Sequence, residues 1–289
     1  MPDFPIIDSH IHLADPGRFT YAWMAGAPSL ARVVLPADLK RAAAPVTVES
    51  LVFVEVDVAE GQHVAEARWI DGMASAPKPG EPRVAATVAA LPLERGKAIK
   101  ADLDQLLALK SLRSIRRLIQ NQPDPDFCIK PDFIAGLKLL APHGIAFDIC
   151  VFHHHLPNVI RMVEMCPDVR FVLDHIGKPA IKDGQMEPWR TNLSALARHD
   201  NVWCKISGVA TEADHRTWTP EQLRPYISHA IDAFGFGRVM FGGDWHVSEL
   251  AVSYPRWVEV VDWVVEGASA DEKHRLYRDN AASFYRFPA

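Results

Sequence analysis

Eight short runs of apolar, often β-branched residues recur along the chain, and longer amphipathic stretches separate them. The runs lie at 5–12, 50–57, 84–91, 114–120, 146–152, 170–175, 202–207 and 238–244. Helical patterns fill 61–75, 98–110, 131–141, 156–166, 188–198 and 220–234. Strands that alternate with helices pair in parallel, and eight of them close into a ring. The expected architecture is therefore α/β, a (β/α)8 TIM barrel, formed as one domain over 1–289. An open doubly wound sheet is the competing arrangement. No GxGxxG or GxxxxGK[ST] follows any of the runs, so the usual reason to prefer that arrangement is missing.

Two segments fit the alternation poorly. Residues 14–46 are rich in Pro and Gly, and 181–189 contain Gly184 and Pro188. Both follow a strand end and are expected as enlarged loops over the active face. Residues 271–287 are expected to form a final helix that closes the ring. The formal charge is −5, a mild acidic bias that offers no basic patch for nucleic acid or an anionic membrane. No apolar run is long enough for a membrane span, and the N-terminus lacks the basic flank and apolar core of a signal peptide. Cys128, Cys150, Cys166 and Cys204 form no CxxC pair and are expected as reduced, mostly buried thiols. A cytoplasmic location is the expectation.

The chemistry concentrates at three strand ends. The first run ends Asp8-Ser9-His10-Ile11-His12. Residues two apart on a strand share a side, so His10 and His12 project together from its C-terminal end. Two imidazoles in one cavity make half of a zinc-type site, although histidines there can also simply bond backbone. In the sixth run His175 follows Val172-Leu173-Asp174 directly, which places it at the barrel mouth or, alternatively, in the core. In the eighth, Asp244 follows Gly242-Gly243. A carboxylate at that rim can bind a metal and accept a proton from water; it can also cap the next helix. Barrel enzymes assemble their sites on this one face, which makes the combination more specific than its parts.

At these residues the chain resembles the amidohydrolase superfamily, and within it the group of sugar-lactone hydrolases. The matching segments are IIDSHIH at 6–12, SIRRLIQ at 114–120, VLDHIGKP at 172–179, CKISG at 204–208, TEAD at 211–214 and MFGGDW at 240–245, spread over nearly the whole chain. The resemblance implies hydrolysis of a cyclic ester, with His10, His12, His175 and Asp244 in the site. It also implies a divalent metal, zinc by ligand type, although some members of the group work without one. The partner implied is a small lactone; homo-oligomers are compatible with it. The chain departs from the pattern at Arg117 (often His), Glu55 (commonly Gln), His246 (usually Pro) and His153-His154-His155 (more often Gln or Arg).

Further candidates follow. Asp244 and His175 are the expected proton-transfer groups. Glu55 is a further metal ligand or an ion-pair partner. Arg116 and Lys205 are expected to contact substrate or to neutralise carboxylates nearby. His155 and Trp245 are expected in the substrate pocket, with Trp23 and Trp218 as further aromatic walls. A metal-dependent decarboxylase and a non-catalytic sugar-binding barrel are the rival readings.

Overall fold

The computed structural model describes residues 1–288. Eight parallel strands follow one another around a single sheet in sequence order. They are β1 (Ile6–Ile11), β2 (Val48–Val54), β3 (Arg83–Ala90), β4 (Leu112–Leu118), β5 (Ala146–Cys150), β6 (Phe171–Leu173), β7 (Val202–Ile206) and β8 (Val239–Phe241). The ring closes beyond the ladder ends. The His12 N–H donates to the Trp245 carbonyl at 2.6 Å, and the Asp244 N–H donates to the His10 carbonyl at 2.9 Å. The result is a nearly closed α/β barrel. β6 and β8 are only three residues long, shorter than the apolar runs suggest, because the chain leaves the ladder just where the site residues begin.

Helices α1 (Pro36–Ala43), α2 (His63–Ser75), α3 (Lys100–Leu107), α4 (Pro131–Lys138), α5 (Leu156–Met165), α6 (Trp189–Leu196), α7 (Pro220–Phe234) and α8 (Tyr254–Val264) follow. Local signals explain several of their starts. α7 begins with Pro220 after Thr219, whose N–H donates to the Gln222 side chain at 3.1 Å, the reciprocal half of a capping box. Two departures from expectation concern helices. The 14–46 segment is not all loop, since it contains α1, whose N-terminus is closed by Asp38 accepting from the Leu35 N–H at 2.9 Å. α8 went unread, although Ser253 and Pro255 mark its start. No helix is long and apolar enough to cross a membrane.

The barrel interior is layered. Strand side chains alternate in and out, so Phe53, Phe147, Phe171 and Phe241 pack outward beneath the helices, while Ile7, Val52, Val54, Val88, Val172 and Met240 fill the barrel floor. The tail completes that floor. It runs as α9 (Ala270–His274), a wide turn at Arg275–Asp279 and α10 (Asn280–Tyr285). Ala281, Phe284, Tyr285 and Phe287 pack on the apolar floor layer, so the tail plugs one end of the barrel and does not merely complete its wall. Above the floor the interior changes character: Ser114, Asp148 and Lys205, then Arg116, Glu55 and Asp174, are all buried.

Candidate active site

The histidine and carboxylate cluster sits on top of that polar layer. His10 and His12 turn inward from the end of β1, and their Nε2 atoms lie 3.2 Å apart. Asp244 Oδ1 lies 3.3 Å from His12 Nε2, 3.7 Å from His10 Nε2 and 3.9 Å from His175 Nε2. One carboxylate oxygen, from the end of β8, thus faces three imidazole nitrogens from the ends of two other strands, β1 and β6. His10, His175 and Asp244 bring ligand atoms within 4.8 Å of one another, and His12 joins them through His10 and Asp244.

The donor set fits a small dication. Four ligands at roughly 2.0–2.2 Å around a tetrahedral ion stand about 3.3–3.6 Å apart. The His10–His12 and His12–Asp244 edges match that spacing, and the two longer edges are slightly open. The far ring nitrogens are also held, as ligating imidazoles require. His12 Nδ1 donates to the Val54 carbonyl at 2.9 Å, which leaves Nε2 with its lone pair. His175 Nδ1 meets the Ser207 hydroxyl at 2.9 Å. His10 Nδ1 lies 3.4 Å from Asp174 Oδ1 and 3.2 Å from Lys205 Nζ. Burial lowers His175 to about 4 and pushes His10 well below the usual imidazole range, so both rings are neutral ligands at pH 7. Asp244 lies below the usual carboxylate range: burial would raise it, but His175, His12 and His10 more than offset that.

Charge beneath the cluster points the same way. Lys205 Nζ contacts Asp148 at 2.6 Å and Asp174 at 3.0 Å. Burial would lower the Lys205 ammonium, yet these two carboxylates raise it, so it stays charged. Arg116 donates from Nε to Glu55 at 2.6 Å and from a terminal nitrogen to Asp174 at 3.3 Å. With Asp244 included, these contacts set four carboxylates against two fixed cations in a buried volume. A dication balances that excess.

Several expected site residues lie elsewhere. Glu55 is not turned toward the histidines, because one oxygen takes the Arg116 guanidinium and the other accepts the Asp57 N–H at 2.7 Å. Lys205 has no exposed surface and supports the cluster from below, out of reach of a substrate. His155 is buried at the start of α5, with Nδ1 against the Phe152 carbonyl at 3.2 Å. Trp245 is buried with its indole N–H on Glu249 at 2.8 Å. Arg116 does line the cavity, as does Trp23, whereas Trp218 donates to the Ala251 carbonyl outside it.

Two supports had no clear sequence signal. Asp8, on β1 and facing the turn after β8, accepts from the His10 N–H at 2.8 Å, the Gly243 N–H at 2.9 Å and the Tyr254 hydroxyl at 2.7 Å. It ties both sides of the barrel seam to α8. A side chain at Gly243 would come within 2.5 Å of Asp8 and of the Tyr254 ring, which explains the glycine there. Gly208 is the second case. It has φ +57°, and a Cβ there would lie 2.4 Å from His175 Nδ1. Gly208→Ala is therefore expected to displace His175 and weaken metal affinity at least about tenfold while the barrel still folds. Competition with a chromogenic chelator measures this, and an unchanged affinity overturns the positional argument.

The cluster opens into a cavity of about 320 Å³ lined by His12, Asp244, His175, Arg116, Lys178 and Glu212 among others. That volume suits a small molecule. A larger cleft of about 660 Å³ lies to one side, but none of the clustered histidines line it. Several of its charges are paired with one another, as in Arg117 with Glu94 and Arg95 with Glu60.

Comparison with known proteins places the chain in a family. The amidohydrolase family model matches residues 7–287. The chain belongs to the amidohydrolase family. An amidohydrolase from Burkholderia multivorans, crystallised with bound zinc, superimposes on it with a TM-score of 0.87 at 31% identity, covering 99% of this chain and 100% of that one. The L-fucono-1,5-lactonase of Burkholderia ambifaria is 34% identical over 192 residues, which span 64% of this amidohydrolase and 65% of the lactonase. That match falls just short of two thirds of the lactonase's length. An uncharacterized Sinorhizobium fredii protein, y4mH, is 29% identical over 99% of this amidohydrolase and its own full length.

Proposed function

We propose that this amidohydrolase opens a small cyclic ester, a neutral sugar aldonolactone of the L-fucono, L-rhamnono or galactono type, and that zinc completes its site. The observation that carries the reading is the division of labour within one carboxylate. Oδ1 of Asp244 makes all the histidine contacts described above, which leaves Oδ2 for a water molecule in the cavity. The partial match to L-fucono-1,5-lactonase supports the same substrate class.

The residues divide the work as follows. His10, His12, His175 and Asp244 would hold the metal. A dication bound there supplies Lewis acidity, drawing electron density from an ester carbonyl and making water easier to deprotonate. Asp244 takes the water proton as the water oxygen bonds to the carbonyl carbon. Arg116, fixed by Glu55 and Asp174, orients the substrate with the guanidinium hydrogens those partners leave free. As the ring C–O bond breaks, Asp244 returns the proton to the departing alkoxide. The product is an open-chain hydroxy acid. The cavity lining favours a neutral substrate over a dicarboxylate, because Asp57, Glu212 and Asp244 face it alongside Arg116 and Lys178.

The test is a panel of aldonolactones, a pyrone dicarboxylate and small aromatic acids, read by acid release and by CO₂ evolution. Acid release from the aldonolactones is expected. Turnover confined to CO₂ release would replace this reading with the decarboxylase. The metal has a separate readout. Chelation is expected to lower the melting temperature by at least about 5 °C, since it leaves buried carboxylates unbalanced, and zinc is expected to restore it. A melting curve indifferent to chelation overturns the metal assignment.

A further inference from the structure

After β6 the chain makes an uncommon turn. His175, Ile176, Gly177 and Lys178 have φ of 55°, 49°, 75° and 46°. Three non-glycine residues in the left-handed region are costly, and such strain persists only where surrounding contacts enforce it. Here the Trp189 indole donates to the Ile176 carbonyl at 2.7 Å, the Lys178 N–H donates to the His175 carbonyl at 2.9 Å, and the His153 N–H donates to the Lys178 carbonyl at 3.3 Å. A tight turn of three residues per revolution brings positions three apart onto one side. His175 and Lys178 therefore both face the cavity.

Lys178 is the cation of that cavity that no carboxylate holds at hydrogen-bond distance. Arg116 is fixed by carboxylates, and Lys205 is sealed below. Lys178 Nζ donates to Gln120 Oε1 at 2.6 Å, and its distance to Glu212 Oε1 is 3.9 Å. That separation is too long for a hydrogen bond and leaves both groups with capacity to spare. An ammonium only donates, and a carboxylate only accepts. A hydroxyl does both, so one oxygen seated between them accepts from Lys178 and donates to Glu212.

We propose that Lys178 and Glu212 form a clamp that recognises one ring hydroxyl of the substrate. This deepens the lactonase reading and rests on it. The clamp selects a hydroxyl over a hydrogen or an ether at one ring position and sets the substrate's orientation beside Asp244.

The experiment compares an aldonolactone with its series of monodeoxy lactones in the zinc-loaded parent, Lys178→Met and Glu212→Gln. In the parent, one deoxy position is expected to cost roughly 100-fold in kcat/KM. In each variant the penalty at that position is expected to fall at least tenfold while the penalties elsewhere persist. A purely structural ion pair lowers activity on all lactones in parallel and leaves every deoxy penalty intact, which overturns the clamp. Should the parent open no lactone, the lactonase reading fails on its own. The clamp is then judged by calorimetric binding of the corresponding aldonolactams to parent and variants. Equal deoxy penalties in binding overturn it, and a penalty at one position that the variants lose sustains it.

Discussion

Asp244→Asn is expected to reduce lactone turnover at least about 10³-fold while leaving the barrel folded. Proton transfer by a positioned group contributes roughly 10²–10⁴-fold, and this change removes both the proton acceptor and a negative charge from the metal cradle. The fold is spared for identifiable reasons. Asn has the shape of Asp and tolerates the left-handed backbone at this position, where φ is 52°. The local bonds belong to the main chain: the Asp244 N–H donates to His10, and its carbonyl accepts from the Ser248 N–H at 2.8 Å. Saturating zinc separates the two roles. If metal content returns but turnover does not, Asp244 is the base. Parent-level turnover at full metal occupancy would end the assignment of Asp244 as proton acceptor. An intact circular dichroism spectrum is the control.

Much of this site could be read from spacing, and the failures share one cause. Period-two alternation puts His10 and His12 on the same side, and their Nε2 atoms meet at 3.2 Å. The ends of the sixth and eighth runs likewise bring His175 and Asp244 to the same rim. Alternation gives the side a residue faces but not its height in the barrel. Lys205 points inward, as its place between Trp203 and Ser207 requires, yet it sits a layer too low to meet a ligand. Glu55, just past the end of β2, is captured by Arg116 from β4 and lines the side cleft instead of the site cavity, and the pairing of distant strands leaves no local trace. Lys178 was visible as a motif letter only, since the left-handed turn that aims it depends on Trp189 and the loop before α5. The tail read as a helix, but its role as barrel floor depends on where its apolar side finds a partner.

Lys205→Met tests whether the buried charged layer is held by pairing. The side chains are similar in volume, so the change removes a charge more than it removes packing. Asp148 keeps the Ser114 and Tyr285 hydroxyls at 2.5 and 2.7 Å but loses its cation, and Asp174 keeps Arg116 at 3.3 Å and the His10 ring at 3.4 Å. Breaking a buried ion pair from one side costs about 3–5 kcal/mol, and in a chain of this size that lowers the melting temperature by roughly 5–8 °C. The pH dependence gives the sign. In the parent, burial raises Asp174 but Lys205 and His10 hold it well below the usual carboxylate range, so its contribution is present at neutral pH and fades on acidification. In the variant the orphaned carboxylates sit above their unfolded values and take up protons more readily when folded. Acid therefore favours the variant's native state, and its stability falls as pH rises. The gap between the two proteins is accordingly widest at neutral pH and narrows toward pH 5. Adding Asp148→Asn to Lys205→Met is expected to recover part of the loss, since one uncompensated charge disappears. Thermal melts between pH 5 and 8 read all three effects. A variant that melts within about 2 °C of the parent across that range would mean that the layer tolerates an unpaired carboxylate. The charge excess invoked to attract a dication above it would then have no energetic basis.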